Sequence, residues 1–407
     1  MAITVTGGPA YGVSWATAAS PVLTRVGASS AWEAGAKGGA HIARFSAVAP
    51  WSGMRRCNLW DTGTPTAYYG DRCYTDTDVA NMGQVMVSVP KFYYYMEYNA
   101  ATTTYYWFVT PTAATTIDVG LGVGAQPVKI HPAFTRDGVT KDTIYIGAFE
   151  GYLNGTTNKL ESKAGVQPTT TQTITTFRTA AQLRAGVANK WEQQDYLTVS
   201  ALQLLYTVEY ANLNSQSMIS AGITNITDDA THNMASNTGH TTALGNASGE
   251  VLHTFDHVPG AGDLSGYAMS YRGVENMWGN VGTYMEGLKI KANANPWIAN
   301  HDFNDSGTFA HPYVDTSLAL YSAGASNTIG NIATNATYDY GFLGASAAGG
   351  GTTYFCDLTY YSAGGPFAAL NSGSWTNTTG AGIFYLYPAY DAATTYRKYG
   401  TRLMYMG

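Results

Sequence analysis

The sequence predicts an α+β protein in which β-strands and long ordered loops dominate and helices are few. Of its 407 residues, 46 are glycine and 31 are tyrosine, whereas charged residues make up only 12%, about half the usual share. Several short segments alternate apolar and polar residues, the pattern of half-buried strands. The clearest helical repeat is confined to residues 195–211.

Composition excludes several classes of protein. The net charge of −6 and the absence of a basic run argue against nucleic-acid binding. No apolar run is long enough to span a bilayer, and the N-terminal residues lack a secretory signal. We therefore expect synthesis in the cytoplasm, followed by release within an assembly or by lysis. Cysteines 57, 73 and 356 lack zinc spacing. A Cys57–Cys73 bridge and reduced thiols both fit, and reduced thiols are favoured.

Residues 1–83 are predicted to form a small β-rich region for attachment or oligomerisation. Strands are expected at 3–5 and 21–26, and a hairpin is expected around Gly63-Thr64-Pro65. Because the region lacks a long apolar stretch, we expect it to pack on a neighbouring subunit or on the following domain.

A second domain is predicted from residue 84 to residue 407. It opens with a strong strand signal at 84–95, where valines alternate with other residues, and an aromatic strand follows at 105–109. His131 and Glu150 come next. Catalysis by either residue is conceivable, but a structural role is favoured because no partner base or nucleophile lies at a recognisable spacing.

Two helices are predicted in the middle of the chain. Thr179 and Gln182 fit a capping box, which would start a helix before Leu183. A longer helix is expected at about 195–211, with Asp195 as its N-cap. Its apolar side chains recur on one face and should lie against a sheet: Leu197, Ala201, Leu204, Leu205 and Val208.

The segment from 219 to 265 has little pattern, and we interpret it as a long ordered surface loop. His301 to Gly307 matches the first half of a calcium loop, but Tyr313 stands where an EF-hand needs a carboxylate. A looser calcium site through Asp302, Asn304 and Asp305 stays open as the less favoured alternative. We expect no metal and no cofactor.

The segment from 364 to 402 is organised differently from the rest. Glycines, Trp375, Phe384 and Arg402 look like fixed scaffold, and small polar residues and tyrosines lie between them. Tyrosine gives large contact area at low entropic cost, and serine and asparagine give adaptable hydrogen bonds. This composition indicates a binding surface. The alternative is a tyrosine-rich final β-meander with an ordinary surface.

The pattern GG…GSW…GAGIFY…YGTRLMY resembles the variable region of proteins diversified by diversity-generating retroelements. Proteins of that kind use a C-type lectin-like fold, and residues 271–280, which contain WGN, resemble its core. The strand VMVSVPKFYY, the aromatic strand at 105–109 and HPAF at 131–134 resemble, in that order, the opening of the formylglycine-generating-enzyme branch of the fold. The match departs from the family at Asn371-Ser372 and at Gly282-Thr283-Tyr284. The resemblance implies these ligand-binding positions: Ala368, Ala369, Asn371, Ser372, Thr376, Asn377, Tyr385, Tyr387, Tyr390, Asp391 and Tyr396.

The phrases YGVSW, MRRCNLWDTG and YYGDRCY resemble the start of phage tail-fibre proteins, though less specifically. Together the two resemblances imply a receptor-binding protein of the virion tail. Its expected partners are a host cell-surface protein or glycan, other tail proteins and two further copies in a homotrimer. The alternatives are a cell-encoded variable adhesin or recognition protein, and a fixed structural tail protein.

Formylglycine-generating oxidases need paired redox cysteines near the C-terminus. Here Cys356 stands alone beside Asp357, so the resemblance to that branch does not imply its chemistry. We expect that the protein is not an enzyme.

Overall fold

The structure is a computed structural model that describes residues 3–184, 190–227, 231–254, 265–291, 295–321, 327–361, 369–388 and 390–407. Strands dominate the described residues, which confirms the prediction of a β-rich chain with few helices. The α-helices among them are α1 (His41–Ser46), α2 (Val79–Met82), α3 (Ile174–Gln182), α4 (Tyr196–Tyr210) and α5 (Ser215–Met218). Short 3-10 helices occur at Trp51–Gly53, Pro132–Phe134, Thr242–Leu244 and Thr378–Gly380.

Three large sheets contain most of the strands. The five-stranded sheet has the order Lys129–Ile130, Tyr93–Asn99, Thr104–Thr110, Tyr11–Ala16, Thr24–Gly27. The six-stranded sheet has the order Trp191–Gln193, Leu403–Tyr405, Thr143–Gly147, Gln84–Pro90, Arg55–Leu59, Pro65–Tyr68. The seven-stranded sheet has the order Gly344–Ala347, Asn327–Ile332, Leu358–Thr359, Gly382–Leu386, Ala369–Ser372, Gly282–Met285, Tyr399–Gly400.

Five smaller sheets contain the other strands of the described residues. The three-stranded ones are Thr4–Thr6 with Thr116–Asp118 and Gln126–Pro127, Gly249–Thr254 with Ser265–Tyr271 and Val274–Glu275, and Leu288–Lys291 with Asn295–Ile298 and Val314–Asp315. The two-stranded ones are Thr135–Arg136 with Val139–Thr140, and Tyr152–Leu153 with Leu160–Glu161. No helix within the described residues is long and apolar enough to span a bilayer.

Helix α4 is the centre of the main core. Asp195 caps it as predicted, because its Oδ1 accepts a hydrogen bond from the Thr198 amide at 2.8 Å. The same carboxylate pairs with the buried Arg136 guanidinium. Every residue of α4 is buried, rather than one face alone. A helix apolar nearly all round is expected in the interior of a large domain.

Strands from both sides of the predicted boundary at 83/84 share sheets and core. Tyr11–Ala16 pairs with Thr104–Thr110 over its full length. Arg55–Leu59 pairs with Gln84–Pro90 in the same way. The structure therefore does not separate residues 3–83 from the rest of the chain. The proposed role of this region in attachment or oligomerisation stays a prediction.

Several sequence-based boundaries differ from the structure. The strand expected at 84–95 is two strands in different sheets, because the chain turns after Pro90. The capping box at Thr179 is wrong. Helix α3 begins earlier, where the Thr173 hydroxyl accepts from the Thr176 amide at 3.1 Å, so Thr179 lies in the second half of the helix. The described part of 219–265 contains a strand at Gly249–Thr254.

Candidate functional site

A row of tyrosine rings lies along one side of the seven-stranded sheet. We call it the tyrosine ladder, and it consists of Tyr360, Tyr385, Tyr387, Tyr390, Tyr396 and Tyr399. The ring centroids of Tyr387 lie 4.7 Å from Tyr360, 6.3 Å from Tyr385 and 5.5 Å from Tyr390, with near-parallel planes. Tyr399 continues the row at 5.0 Å from Tyr390 and 5.2 Å from Tyr396. These distances fall within the favourable range for aromatic pairs.

Strand pairing explains why the ladder forms. Tyr385 and Tyr387 alternate on the strand Gly382–Leu386 and its continuation, so their side chains point to the same face. Thr359 pairs in parallel with Leu386, and the Tyr360 amide donates to the Leu386 carbonyl at 2.9 Å. This pairing brings Tyr360 beside Tyr387. A hydroxyl–hydroxyl hydrogen bond of 2.6 Å, donated by Tyr399 to Tyr390, links two of the rings.

Burial decreases along the ladder. Tyr385 is 5% exposed, and burial raises the pKa of its phenol. Tyr360, Tyr387, Tyr390 and Tyr399 are half-buried. Tyr396 is 38% exposed. The ladder therefore runs from the protein interior to solvent, and its outer members are accessible to a ligand.

Two cations flank the outer end of the ladder. The Arg397 guanidinium carbon lies 5.0 Å from the centre of the Tyr396 ring, and Lys398 Nζ lies 5.5 Å from it. Such contacts are favourable because the face of an aromatic ring is electron-rich. Lys398 Nζ also donates to Thr376 Oγ1 at 3.1 Å. Positive charge, aromatic surface and hydroxyl groups thus meet in one patch.

The remaining predicted ligand positions differ in their exposure to solvent. Ala369, Asn371 and Ser372 are buried in the seven-stranded sheet, where Gln194 donates to the Asn371 side chain. A ligand cannot touch these three directly in this structure. Thr376 and Asn377 are half-buried. Ala368 lies outside the described residues.

Asp391 is exposed and stabilises the loop between Tyr390 and Tyr396. Its Oδ1 accepts from the Ala393 amide at 3.1 Å and from Thr394 Oγ1 at 3.0 Å. An aspartate that bonds to the backbone two residues on stabilises a turn. A second contact holds the same loop: the Tyr284 hydroxyl donates to the Thr394 carbonyl at 2.8 Å.

Five buried residues form a set that we call the buried frame: Glu150, Glu275, Asn280, Trp375 and Arg402. Arg402 donates to the carbonyls of Gly147 at 3.0 Å, Glu275 at 2.6 Å and Asn276 at 3.0 Å. Trp375 and Arg402, which the sequence predicts to be fixed scaffold, are both buried. Such bonds satisfy backbone groups that would be costly to bury alone.

Carboxylates complete the buried frame. Glu150 accepts from Asn280 Nδ2 at 2.5 Å and from the Val281 amide at 3.2 Å, and burial raises its pKa to about 7. Glu275 accepts from the amides of Gly239 at 2.7 Å and Thr241 at 2.6 Å. Both carboxylates therefore hold backbone amides, and for Glu150 this agrees with the structural role favoured from the sequence.

The ammonium group of Lys289 lies against the loop at 302–305, where the sequence left a calcium site open. Lys289 Nζ donates to Asn304 Oδ1 at 2.9 Å and to the Ser306 carbonyl at 3.0 Å, and it lies 4.0 Å from the centre of the Tyr313 ring. Burial lowers the pKa of Lys289 to about 8. Asp305 pairs instead with Arg178 at 3.5 Å. Within the described residues, no group of acidic, histidine and cysteine side chains is arranged to hold a metal ion.

His131, Cys57 and Cys356 lie in the protein interior. His131 is buried, its Nδ1 accepts from the Ala133 amide at 3.2 Å, and burial lowers its pKa to about 3. Cys57 and Cys356 are buried, and burial raises the pKa of each thiol to about 12. A thiol with so high a pKa is a poor nucleophile at neutral pH. Cys73 is exposed and is not bridged to Cys57.

Sequence reasoning missed two members of the ladder as ligand-contacting candidates, Tyr360 and Tyr399. Tyr360 is distant from the others in sequence and arrives through a parallel pairing that no local pattern signals. Tyr399 lies in a short strand beside Gly282–Met285. The one signal for Tyr399 in the sequence is its tyrosine-rich surroundings.

Comparison with known proteins gives little. The chain matches no known protein family in a scan of family models, and no curated protein matches it. One solved structure with similarity to this chain is described as "Major Tropism Determinant P3c Variant". It has 10% sequence identity and a TM-score of 0.27, and the match covers 84% of this chain and 88% of that chain.

Proposed function

We propose that this chain is a receptor-binding, tropism-determining protein of a phage tail tip, of the major tropism determinant kind. It has a C-type lectin-like fold, and the tyrosine ladder with its surrounding loops is its hypervariable ligand-binding surface. The ligand is a host cell-surface protein or glycan. The protein works as a homotrimer among other tail proteins, and it binds rather than catalyses.

The observation that supports this proposal is the contiguity of the outer ladder. Tyr387, Tyr390 and Tyr396 form one row with Tyr399, and cations flank its exposed end. Rigid aromatic rings beside adaptable polar groups are typical of surfaces that bind diverse partners. Exposed side chains of such a surface can change at little cost to the fold, because substitutions at exposed positions usually alter stability by less than about 0.5 kcal/mol. In a trimer, three weak contacts would combine into firm attachment.

The test is adsorption of virions whose protein carries Tyr387→Ala, Tyr390→Ala or Tyr396→Ala. Hot-spot tyrosines contribute at least about 2 kcal/mol, so at least one variant should lose more than about ten-fold in adsorption rate. Tyr267→Ala is the matched control, because Tyr267 is 40% exposed and lies outside the ladder. Unchanged adsorption in all three ladder variants rejects the proposal.

The genes beside the coding sequence separate the proposal from its alternatives. A reverse transcriptase and a template repeat next to tail genes favour a variable tail protein. The same elements without tail genes favour a cell-encoded adhesin or recognition protein. Absence of both elements favours a fixed protein.

A further inference from the structure

One edge of the five-stranded sheet is only partly covered. The strand Tyr93–Asn99 pairs with Thr104–Thr110 along its whole length on one side. On its other side it pairs at two positions, Tyr93 with Ile130 and Tyr94 with Lys129. From Tyr95 onward, this outer side has no strand partner among the described residues. Edges of this kind present unpaired backbone groups that can accept another strand.

The register identifies which backbone groups face outward. The His131 amide donates to the Phe92 carbonyl at 3.2 Å, so Phe92 directs its polar groups to the outer side. In an antiparallel ladder the bonded positions alternate. The amides and carbonyls of Met96 and Tyr98 therefore face outward as well, whereas those of Tyr95 and Glu97 face Thr104–Thr110.

The neighbouring chain leaves the edge at a proline. Continuing the register would place Pro127 opposite Met96, but proline has no N–H to donate. Pro127 pairs instead with Thr116, in a three-stranded sheet. A groove opens between these two sheet edges as a result.

The groove has the size and rigidity of a binding site. It encloses about 470 Å³ and runs along Tyr95–Tyr98, with Asn335 and Ala336 on its far wall. This volume lies within the usual range for ligand sites, about 300–1,000 Å³. The far wall is fixed, because Asn335 Nδ2 donates to the Thr316 carbonyl at 2.9 Å and Lys129 Nζ donates to the Ala336 carbonyl at 2.9 Å.

The charges of the groove favour a cation. Lys129 is already paired with Asp339 at 2.6 Å. The Glu97 carboxylate accepts from the Tyr95 hydroxyl at 2.9 Å, but no cation within the described part of the chain forms an ion pair with it. One negative charge therefore remains uncompensated at the edge strand.

We propose that this groove binds an extended segment of a partner protein as an added β-strand on Met96–Tyr98, with a lysine or arginine of that segment beside Glu97. Main-chain hydrogen bonds give such added strands their affinity, and side-chain contacts give their specificity. The groove shares no residue with the tyrosine ladder, so this proposal does not depend on the proposed function.

The first test is amide hydrogen exchange with the blocked peptide acetyl-Thr-Val-Arg-Val-Thr-amide. In the free protein, the amides of Met96 and Tyr98 should exchange quickly and those of Tyr95 and Glu97 slowly. At a peptide concentration about nine times Kd, the Met96 and Tyr98 amides should slow by about ten-fold. The same peptide with N-methylated alternate amides should give no protection, because it cannot extend the ladder.

The second test addresses charge with a matched pair of changes. Replacing arginine in the peptide by glutamate, or Glu97→Gln in the protein, should each weaken binding by about two- to five-fold, the range of an exposed ion pair. Glu97→Gln keeps the shape of the side chain, so it should not alter the fold. No protection at about 5 mM peptide, equal protection by the N-methylated peptide, or equal affinity of the arginine and glutamate peptides overturns the proposal.

Discussion

Arg402 and Tyr396 are close in sequence but are held in different ways. Arg402 is buried and satisfies three carbonyls with bonds of fixed direction. Tyr396 touches its neighbours through ring faces and is exposed at its outer edge. Hydrogen bonds in a buried frame demand one residue at each position, since a lost partner leaves a polar group unpaired. Ring contacts at a surface do not require one particular residue at each position. The comparison predicts that the two sets respond differently to substitution.

The largest effect is expected at the buried frame. Arg402→Met removes the donors of three carbonyls and the cation nearest to Glu150, so the free energy of unfolding should fall by about 3–5 kcal/mol. Arg72→Met is the matched control, because Arg72 is exposed, and it should change stability by less than about 0.5 kcal/mol. Urea denaturation measures both. Equal losses in the two variants would remove the distinction between frame and surface.

Within the ladder, the cost of truncation should follow burial. Tyr385→Ala should lower the free energy of unfolding by about 3 kcal/mol, as for other buried aromatic side chains. Tyr396→Ala should stay within about 0.5 kcal/mol of the parent, and Tyr387→Ala should fall between them. The same denaturation series tests the order. A Tyr396→Ala loss as large as that of Tyr385→Ala would show that the outer ladder is part of the core.

A smaller effect concerns pH. Burial raises the pKa of Glu150 to about 7 and that of Glu192 to about 8, so the folded state holds protons that the unfolded state has already released. Stability should therefore fall as pH rises from about 6.5 to about 8.5, by about 2 kcal/mol. Between about pH 5 and 6.5 the slope should flatten, because burial lowers the pKa of His41 to about 4 and that of His131 to about 3, so the unfolded histidines bind protons more readily and offset the two carboxyls.

Denaturation at about pH 5, 6.5 and 8.5 checks this dependence, with little change expected between the first two values and a loss at the third. Glu192→Gln removes one titrating group and should flatten the alkaline side of the curve. Ladder variants should keep the slope of the parent, because they leave Glu150, Glu192 and His41 in place. A stability that rises over the alkaline half of the range contradicts the assignment.

The smallest effect is expected from calcium. Lys289 Nζ already contacts Asn304 and Ser306, so a calcium ion would have to displace an ammonium group. Addition of calcium or of a chelator should leave the melting temperature unchanged. A rise of several degrees with calcium would restore the looser site at Asp302, Asn304 and Asp305.

Local signals predict the features that depend on neighbours in sequence. Asp195 is predictable as a helix cap because the cap and its helix are adjacent. The burial of Ala369 and Asn371 is not predictable in this way, because it depends on where Gly282–Met285 pairs with their strand. Tyr360 is missed as a ladder member for the same reason. The C-type lectin-like assignment and the ligand positions stay predictions.

The strand Leu403–Tyr405 comes after the ladder in the chain and lies inside the six-stranded sheet, between Trp191–Gln193 and Thr143–Gly147. A stop codon or a shifted reading frame anywhere in the tyrosine-rich segment deletes this interior strand, which removes the partner of Trp191–Gln193 and uncovers one edge of Thr143–Gly147. Such copies should fail to fold. Only chains translated in frame through the tyrosine-rich segment can therefore complete the six-stranded sheet.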